Sequence, residues 1–287
     1  MAGTFHAASK RIYTWLDKQS HVKEESLTDW LLFNLSEQLP FFLYKAFSRH
    51  EESLNGADWE CWILVNNRET LCSNRNGDFS AYRFLFQAKK LKRGTDNYPL
   101  LSYSNRNGMQ FDLLMAEAKR RHALPLYLFY STQQTDLMEQ DLHMPFFSKK
   151  FLHACEKCLN GCFVCPAVSV KKILYDGPRI VLNEKSLVNH AFGLSLLDYS
   201  LEHGFWHWKK DVSRMFSTLM DDDDNSNVTE ARYSGNRHNS DTIPAYVDAM
   251  LNSKERDLAW MEKEFEESLR PLAGVVVLDI RDKDTFL

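Results

Sequence analysis

Gly56-Ala57-Asp58-Trp59-Glu60 and Phe86-Gln87-Ala88-Lys89 are the two stretches on which the reading of this chain turns. The first opens an apolar run over 58–65 and reads as the start of a strand. The second lies near the end of another run, over 82–91, and places an amide and a lysine one residue apart. Alternate residues of a strand share a face. On neighbouring strands, Asp58, Gln87 and Lys89 can therefore point into one pocket. A carboxylate and an amide oxygen beside an ammonium group suit a divalent metal ion and an activated water.

Working outward, residues 24–38 carry Leu27, Leu31 and Leu35 at a spacing of four, which predicts a helix that Pro40 stops. Glu24 falls on the face of Leu27, Thr28 and Leu31, whereas Glu25 is turned away by about 100°. A buried charge is costly unless paired, so an inward Glu24 requires a partner. Strands are expected over 41–47, 58–65 and 82–91, with Asn76-Gly77 as a turn between the last two. A helix over 109–122 follows, then a short, wholly apolar strand over 125–130, as suits a buried central strand. The order is helix, three antiparallel-looking strands, helix, strand.

Beyond residue 131 the pattern weakens. Helices are expected over 148–159, 183–192, 211–220 and 243–267, and a helix or strand over 168–174. Four consecutive aspartates, Asp221 to Asp224, open a stretch to Asp241 that is almost free of apolar residues and reads as a mobile, solvated acidic loop. The Ala273-Gly274-Val275-Val276-Val277-Leu278-Asp279 segment reads as a final buried strand that returns to the first sheet. With no repeat and no linker, residues 1–287 form one elaborated domain in this reading. A core over 23–130 is joined to a mostly helical extension over 131–287.

A chain 44% hydrophobic and 26% charged has the composition of an ordinary globular protein. The net charge of −4 gives no general affinity for nucleic acid. Basic residues nevertheless cluster, as in Lys89-Lys90-Leu91-Lys92-Arg93, so a local basic groove is compatible with the acidic whole. No apolar run reaches the ~18 residues of a membrane helix, and residues 1–10 lack a leader-like apolar core. Both absences lead to the expectation of a cytoplasmic protein with no membrane partner. Cys155, Cys158, Cys162 and Cys165 crowd four thiols into eleven residues. Paired Cys motifs that hold zinc are separated by about 12 residues or more. Small buried thiols are therefore the preferred reading, with a Zn²⁺ or cluster site as the alternative. Residues 202–208, Glu-His-Gly-Phe-Trp-His-Trp, read as a packing patch.

The element order, with an acid at the start of the second strand and Gln87-Ala88-Lys89 closing the third, resembles the PD-(D/E)XK nuclease superfamily. The nearest likeness is the Mrr-like branch, in which Gln takes the second acidic position. Glu24-Glu25-Ser26-Leu27-Thr28-Asp29, Gln110-Phe111-Asp112-Leu113-Leu114 and Leu272-Ala273-Gly274-Val275-Val276-Val277 also look like segments of an uncharacterised bacterial family of this fold. The resemblance implies an α/β, restriction-endonuclease-like core with a mixed central sheet. It also implies a Mg²⁺- or Mn²⁺-dependent endonuclease that hydrolyses phosphodiester bonds in DNA, as relatives in restriction and antiviral defence do. Asp58 matches the metal-binding aspartate, Gln87 the second acidic position, and Lys89 the catalytic lysine. Glu24 or Glu25 matches the acid that many members carry on the first helix. Ala57 stands where the motif has proline, and neutral Gln87 leaves the site less negative than usual.

Physically, Asp58, the Gln87 oxygen and the Ala88 carbonyl can ligate the metal, with Glu24 restoring charge. Lys89 can orient the water or stabilise the transition state. Glu60, by parity on Asp58's face, is a candidate assistant. Gln110 and Asp112 either meet substrate or simply favour the positive end of their helix, the second being the preferred reading. Lys90, Lys92 and Arg93 are candidate phosphate contacts. Each residue taken singly has a plain structural reading as a cap, a core amide or a solvated lysine. The alternative function is an inactive module of the same fold that binds nucleic acid or a partner protein. A homodimer or a defence-system partner is compatible with either.

Overall fold

A computed structural model describes residues 3–47, 56–66, 79–90, 104–105, 108–131, 161–175, 187, 191–194, 197–198, 243–253, 259–269 and 272–281. In chain order the elements are α1 (Thr4–Lys18), α2 (Glu24–Gln38), β1 (Phe42–Ala46), β2 (Trp59–Asn66), β3 (Phe79–Lys90) and the short β4 (Ser104–Asn105) and β5 (Gly108–Met109). Next come α3 (Gln110–Arg121), β6 (Leu124–Tyr130), β7 (Cys162–Pro166), α4 (Ala167–Tyr175) and β8 (Phe192–Gly193). The last are α5 (Ala245–Asn252), α6 (Ala259–Glu264), α7 (Glu266–Leu269) and β9 (Gly274–Ile280).

The fold is α/β, built on a mixed seven-stranded sheet in the order β1-β9-β2-β3-β6-β7-β8. Each face of the sheet is covered by helices, and the alternation of side chains along β2 and β3 sorts the core into two layers. Trp59, Cys61, Ile63, Phe84, Phe86 and Ala88 pack with Phe5, Ile12, Leu27 and Leu31 of α1 and α2. Trp62, Leu64 and Leu85 pack on the other side with Phe111 and Leu114 of α3, Val170 of α4 and Val247 of α5. In α2 the predicted stripe of Leu27, Leu31 and Leu35 is buried as expected. Strand β6, apolar and central, lies parallel to β3 and antiparallel to β7.

The three strands expected to follow one another do not form a meander. Strand β9 enters between β1 and β2, antiparallel to the first and parallel to the second. The last strand of the chain thus completes the sheet around the expected 23–130 core. Its run of Val275, Val276 and Val277 is wholly buried, because both its faces and both its edges are covered. Beyond residue 131 the described residues also supply β7 and β8, two strands that the sequence pattern did not suggest. The stretch expected to be helical over 243–267 is broken into α5, α6 and α7. The helices expected over 148–159 and 211–220, the acidic stretch over 221–241 and the patch over 202–208 lie outside the described residues, as does all but Leu187 and Ala191-Phe192 of 183–192.

Helix α1 has no counterpart among the sequence expectations. The Asp198 carboxylate accepts the Phe5 and His6 backbone N–H groups, at 3.0 and 2.7 Å, and so caps it from across the fold. Ser9 Oγ accepts the Cys162 N–H at 2.8 Å, which ties α1 to β7. Among the described residues no helix is long and apolar enough to cross a membrane.

Candidate metal and catalytic site

Asp58 sits one residue before β2. Its backbone N–H donates to the Phe86 carbonyl at 2.7 Å, and its carbonyl accepts from the Ala273 N–H at 2.6 Å. The residue is thereby held between β3 and the entry to β9. Gly56, just upstream, has φ +69°, and a Cβ there would lie 2.4 Å from the Gln110 carbonyl oxygen. Only glycine allows the Asp58 segment to press against the first turn of α3. Gly56→Ala should cost about 2 kcal/mol, read as a lower Tm, and should weaken whatever chemistry depends on Asp58.

The candidate side chains meet in two pairs, Asp58 with Gln87 and Glu24 with Lys89. Asp58 Oδ2 accepts from Gln87 Nε2 at 2.7 Å and from the Ala88 backbone N–H at 2.6 Å. Gln87 Nε2 is also 3.3 Å from the Ala88 carbonyl. Lys89 Nζ lies 3.5 Å from Glu24 Oε1, and Glu24 Oε2 accepts the Lys90 backbone N–H at 2.5 Å. A carboxylate from the first turn of α2 thus reaches the end of β3, 65 residues away in sequence. Burial raises the Glu24 carboxyl above its ordinary range, and the neighbouring Glu25 adds to this. Lys89 and the Lys90 N–H oppose the rise without cancelling it. Glu25 is exposed at the mouth of the cleft that Glu24, Thr28, Asp58 and Ala88 line. Thr28 Oγ1 pairs with the buried Tyr130 hydroxyl at 2.8 Å, which fixes the first turn of α2 against the end of β6. Gly274 forms part of the cleft wall, a contribution from β9 that the sequence reading did not assign to the site.

Several candidates take other places. Glu60 is fully buried on the face of the sheet that packs against α3 and α5. Its Oε1 accepts from Trp62 Nε1 and the Tyr246 hydroxyl, both at 2.5 Å. Its Oε2 meets Arg83 at 2.8 Å and Arg121 at 3.2 Å. With four donors on its two oxygens, Glu60 is a structural hub joining the sheet to α3 and α5, not an assistant to Asp58. Parity along β2 gave the right face, but the strand's length carries Glu60 away from the site. Lys90 spends its ammonium on the Ser20 and Val22 carbonyls of the α1–α2 connection, so it pins that turn instead of facing a phosphate. Lys92 and Arg93 lie outside the described residues. Gln110 and Asp112 begin α3, where Asp112 is exposed in the first turn and no side chain caps the helix. Asp112 fits the expected dipole role.

Cys162 and Cys165 are buried in β7, one in each layer of the core. Three residues apart on a strand, they face opposite ways and do not share an ion. Burial pushes the Cys162 thiol up to about 12 and Cys165 higher still, which keeps both protonated. Cys155 and Cys158 lie outside the described residues.

Among the described residues, no three or more His, Cys, Asp and Glu gather as a metal cluster. The donors brought together are instead one carboxylate, one amide and one backbone carbonyl. All are hard oxygen ligands of the kind Mg²⁺ and Mn²⁺ take. One observation tests the fit. Gln87 Oε1 is buried and has no hydrogen-bond partner among the described residues. Buried polar atoms are rarely left so; Nε2 is the end of the amide beside Asp58 and the Ala88 carbonyl, and turning the amide would bring Oε1 there as a third oxygen ligand for a cation.

Residues 1–284 match a family described as a family of unknown function, DUF6615, and the chain belongs to that family. No curated protein and no solved structure matches it.

Proposed function

We propose that this DUF6615 protein is a metal-dependent nuclease that hydrolyses phosphodiester bonds in DNA, on a core of the restriction-endonuclease-like type. The observation that carries the proposal is two polar pairs, each joining a residue of β3 to a separate part of the chain. Asp58 bonds Gln87 at 2.7 Å and Glu24 pairs with Lys89 at 3.5 Å, at the shared end of β3. Core packing alone does not ask for two carboxylates, an amide and a lysine there, since each polar group carries a burial cost.

Asp58, Gln87 Oε1 and the Ala88 carbonyl would hold a Mg²⁺ or Mn²⁺ ion. Such an ion, when bound, polarises a phosphodiester and lowers the pKa of water. Lys89, only 6% exposed, presents its positive charge where negative charge would develop on the phosphate. Glu24 holds that ammonium in place and, through the Lys90 N–H, locks the end of β3 to α2. In this arrangement Glu24 acts as a counter-ion and tether of Lys89 more than as a metal ligand.

The test is cleavage of plasmid and single-stranded DNA with Mg²⁺ or Mn²⁺, beside a chelator and Asp58→Ala. The expected result is metal-dependent cutting by the wild type and none by the variant. If wild type and variant are equally inert with every metal and nucleic acid tried, the enzyme reading gives way to the inactive binding module.

A further inference from the structure

We infer that the Gln87 side-chain amide is a two-position switch: its N–H₂ end stands in for the metal ion when none is bound, and it rotates to present Oε1 when one is. The inference rests on the metal site proposed above and concerns how that site is kept ready. Three facts carry it. Gln87 Nε2 sits 2.7 Å from Asp58 Oδ2 and 3.3 Å from the Ala88 carbonyl, so the amide nitrogen occupies the space between the other two oxygen donors. The other end of the same amide, Oε1, is buried without a partner among the described residues. The residue is 1% exposed, so water does not readily compensate either end.

The two ends of an amide are nearly the same size but opposite in polarity. With nitrogen inward, the Asp58 carboxylate gains a donor and its charge is partly answered. With oxygen inward, two oxygens would lie about as close as the present 2.7 Å contact and repel each other, unless a cation lay between them. Neighbouring oxygens around a six-coordinate Mg²⁺ stand about 2.9 Å apart, close to the separation already built here. Metal binding therefore exchanges one satisfied arrangement for another and gives the orphaned oxygen a ligand. A glutamate at this position has no nitrogen to turn inward. It would leave two carboxylates facing each other in the metal-free protein. The neutral residue thus trades metal affinity for a stable metal-free site.

Two measurements test this without using cleavage. The first compares wild type with Gln87→Glu by Mn²⁺ titration calorimetry and by thermal unfolding with chelator and with saturating Mn²⁺. The variant should bind Mn²⁺ about tenfold tighter or more, since charge count tunes such sites. It should be less stable than wild type with chelator and recover or exceed it with Mn²⁺. Unchanged stability with chelator would overturn the inference, because the nitrogen would then not be answering Asp58. The second follows the Gln87 side-chain N–H₂ signals of ¹⁵N-labelled wild type by NMR, using Mg²⁺, and does not depend on any variant folding. Both proton shifts should move on Mg²⁺ addition as the bond to Asp58 is lost. Signals that stay fixed while Mg²⁺ binds elsewhere would overturn it. If the switch behaves as stated but no nucleic acid is cut, the nuclease reading falls and the switch stands.

Discussion

Lys89→Met should lower the rate of metal-dependent DNA cleavage by about a hundred- to a thousandfold, the range seen when one charge-stabilising donor is removed from an active site. The loss should fall on kcat, with KM and Mn²⁺ affinity little changed, because Lys89 is not among the oxygen donors. The fold should survive. Methionine matches the apolar stem of lysine, and among the described residues Lys89 makes one ion pair, to Glu24 at 3.5 Å. Glu24 keeps its bond from the Lys90 N–H. Its carboxyl is already raised by burial, with Lys89 as the main opposing influence. Losing Lys89 raises it further, so Glu24 is protonated more readily and not left as a buried bare charge. Tm should therefore move by only a few degrees while the rate collapses, as measured by unfolding and single-turnover kinetics on one preparation.

Glu60→Ala should do the reverse. Removing this carboxylate leaves Arg83 and Arg121 against each other on the buried face, and deprives Trp62 Nε1 and the Tyr246 hydroxyl of their acceptor. Breaking a buried ion pair by deleting one partner costs about 3–5 kcal/mol, which corresponds to a Tm lower by roughly 10 °C in a protein of this size. Burial, with Glu60 beside it, holds the Tyr246 hydroxyl above its ordinary range, so it remains a donor at neutral pH. The network extends through Arg121 to the Ser268 carbonyl and Glu117. Its loss should loosen the packing of α5 and α7 on the sheet. Mn²⁺ affinity of the folded fraction should be unchanged, because Glu60 does not touch Asp58. A Glu60→Ala protein that kept its Tm but lost the metal would place Glu60 in the site after all.

Much of this was legible in the residues, and the reasons are particular. Leu27, Leu31 and Leu35 announced α2 because helical periodicity is local. The inward turn of Glu24 followed from the same geometry and named a residue that needed a partner. Parity then put Gln87 and Lys89 together on β3. Local signals did not reveal which strands would be neighbours. The insertion of β9 between β1 and β2 joins segments more than 200 residues apart, and nothing in Val275-Val276-Val277 specifies that edge. The contribution of Ala273 and Gly274 to the Asp58 cleft was hidden for the same reason. Helix α1 was readable: Phe5, Ala8, Ser9, Ile12 and Leu16 are all buried at helical spacing. Strand β7 was masked by its cysteines. Cys162-Phe163-Val164-Cys165 is a short, wholly buried run in which the thiols serve as apolar side chains. Glu60 marks the limit of parity, which assigns a face but not a position along it.

The proposed chemistry requires a divalent ion at one place, beside Asp58, Gln87 and Ala88. Anomalous diffraction from crystals soaked in Mn²⁺ examines that place directly. The predicted result is a peak at bonding distance from an Asp58 carboxylate oxygen, Gln87 Oε1 and the Ala88 carbonyl oxygen, with the Gln87 amide turned from its contact with Asp58. A well-occupied Mn²⁺ elsewhere, with Gln87 Nε2 still donating to Asp58, would contradict it.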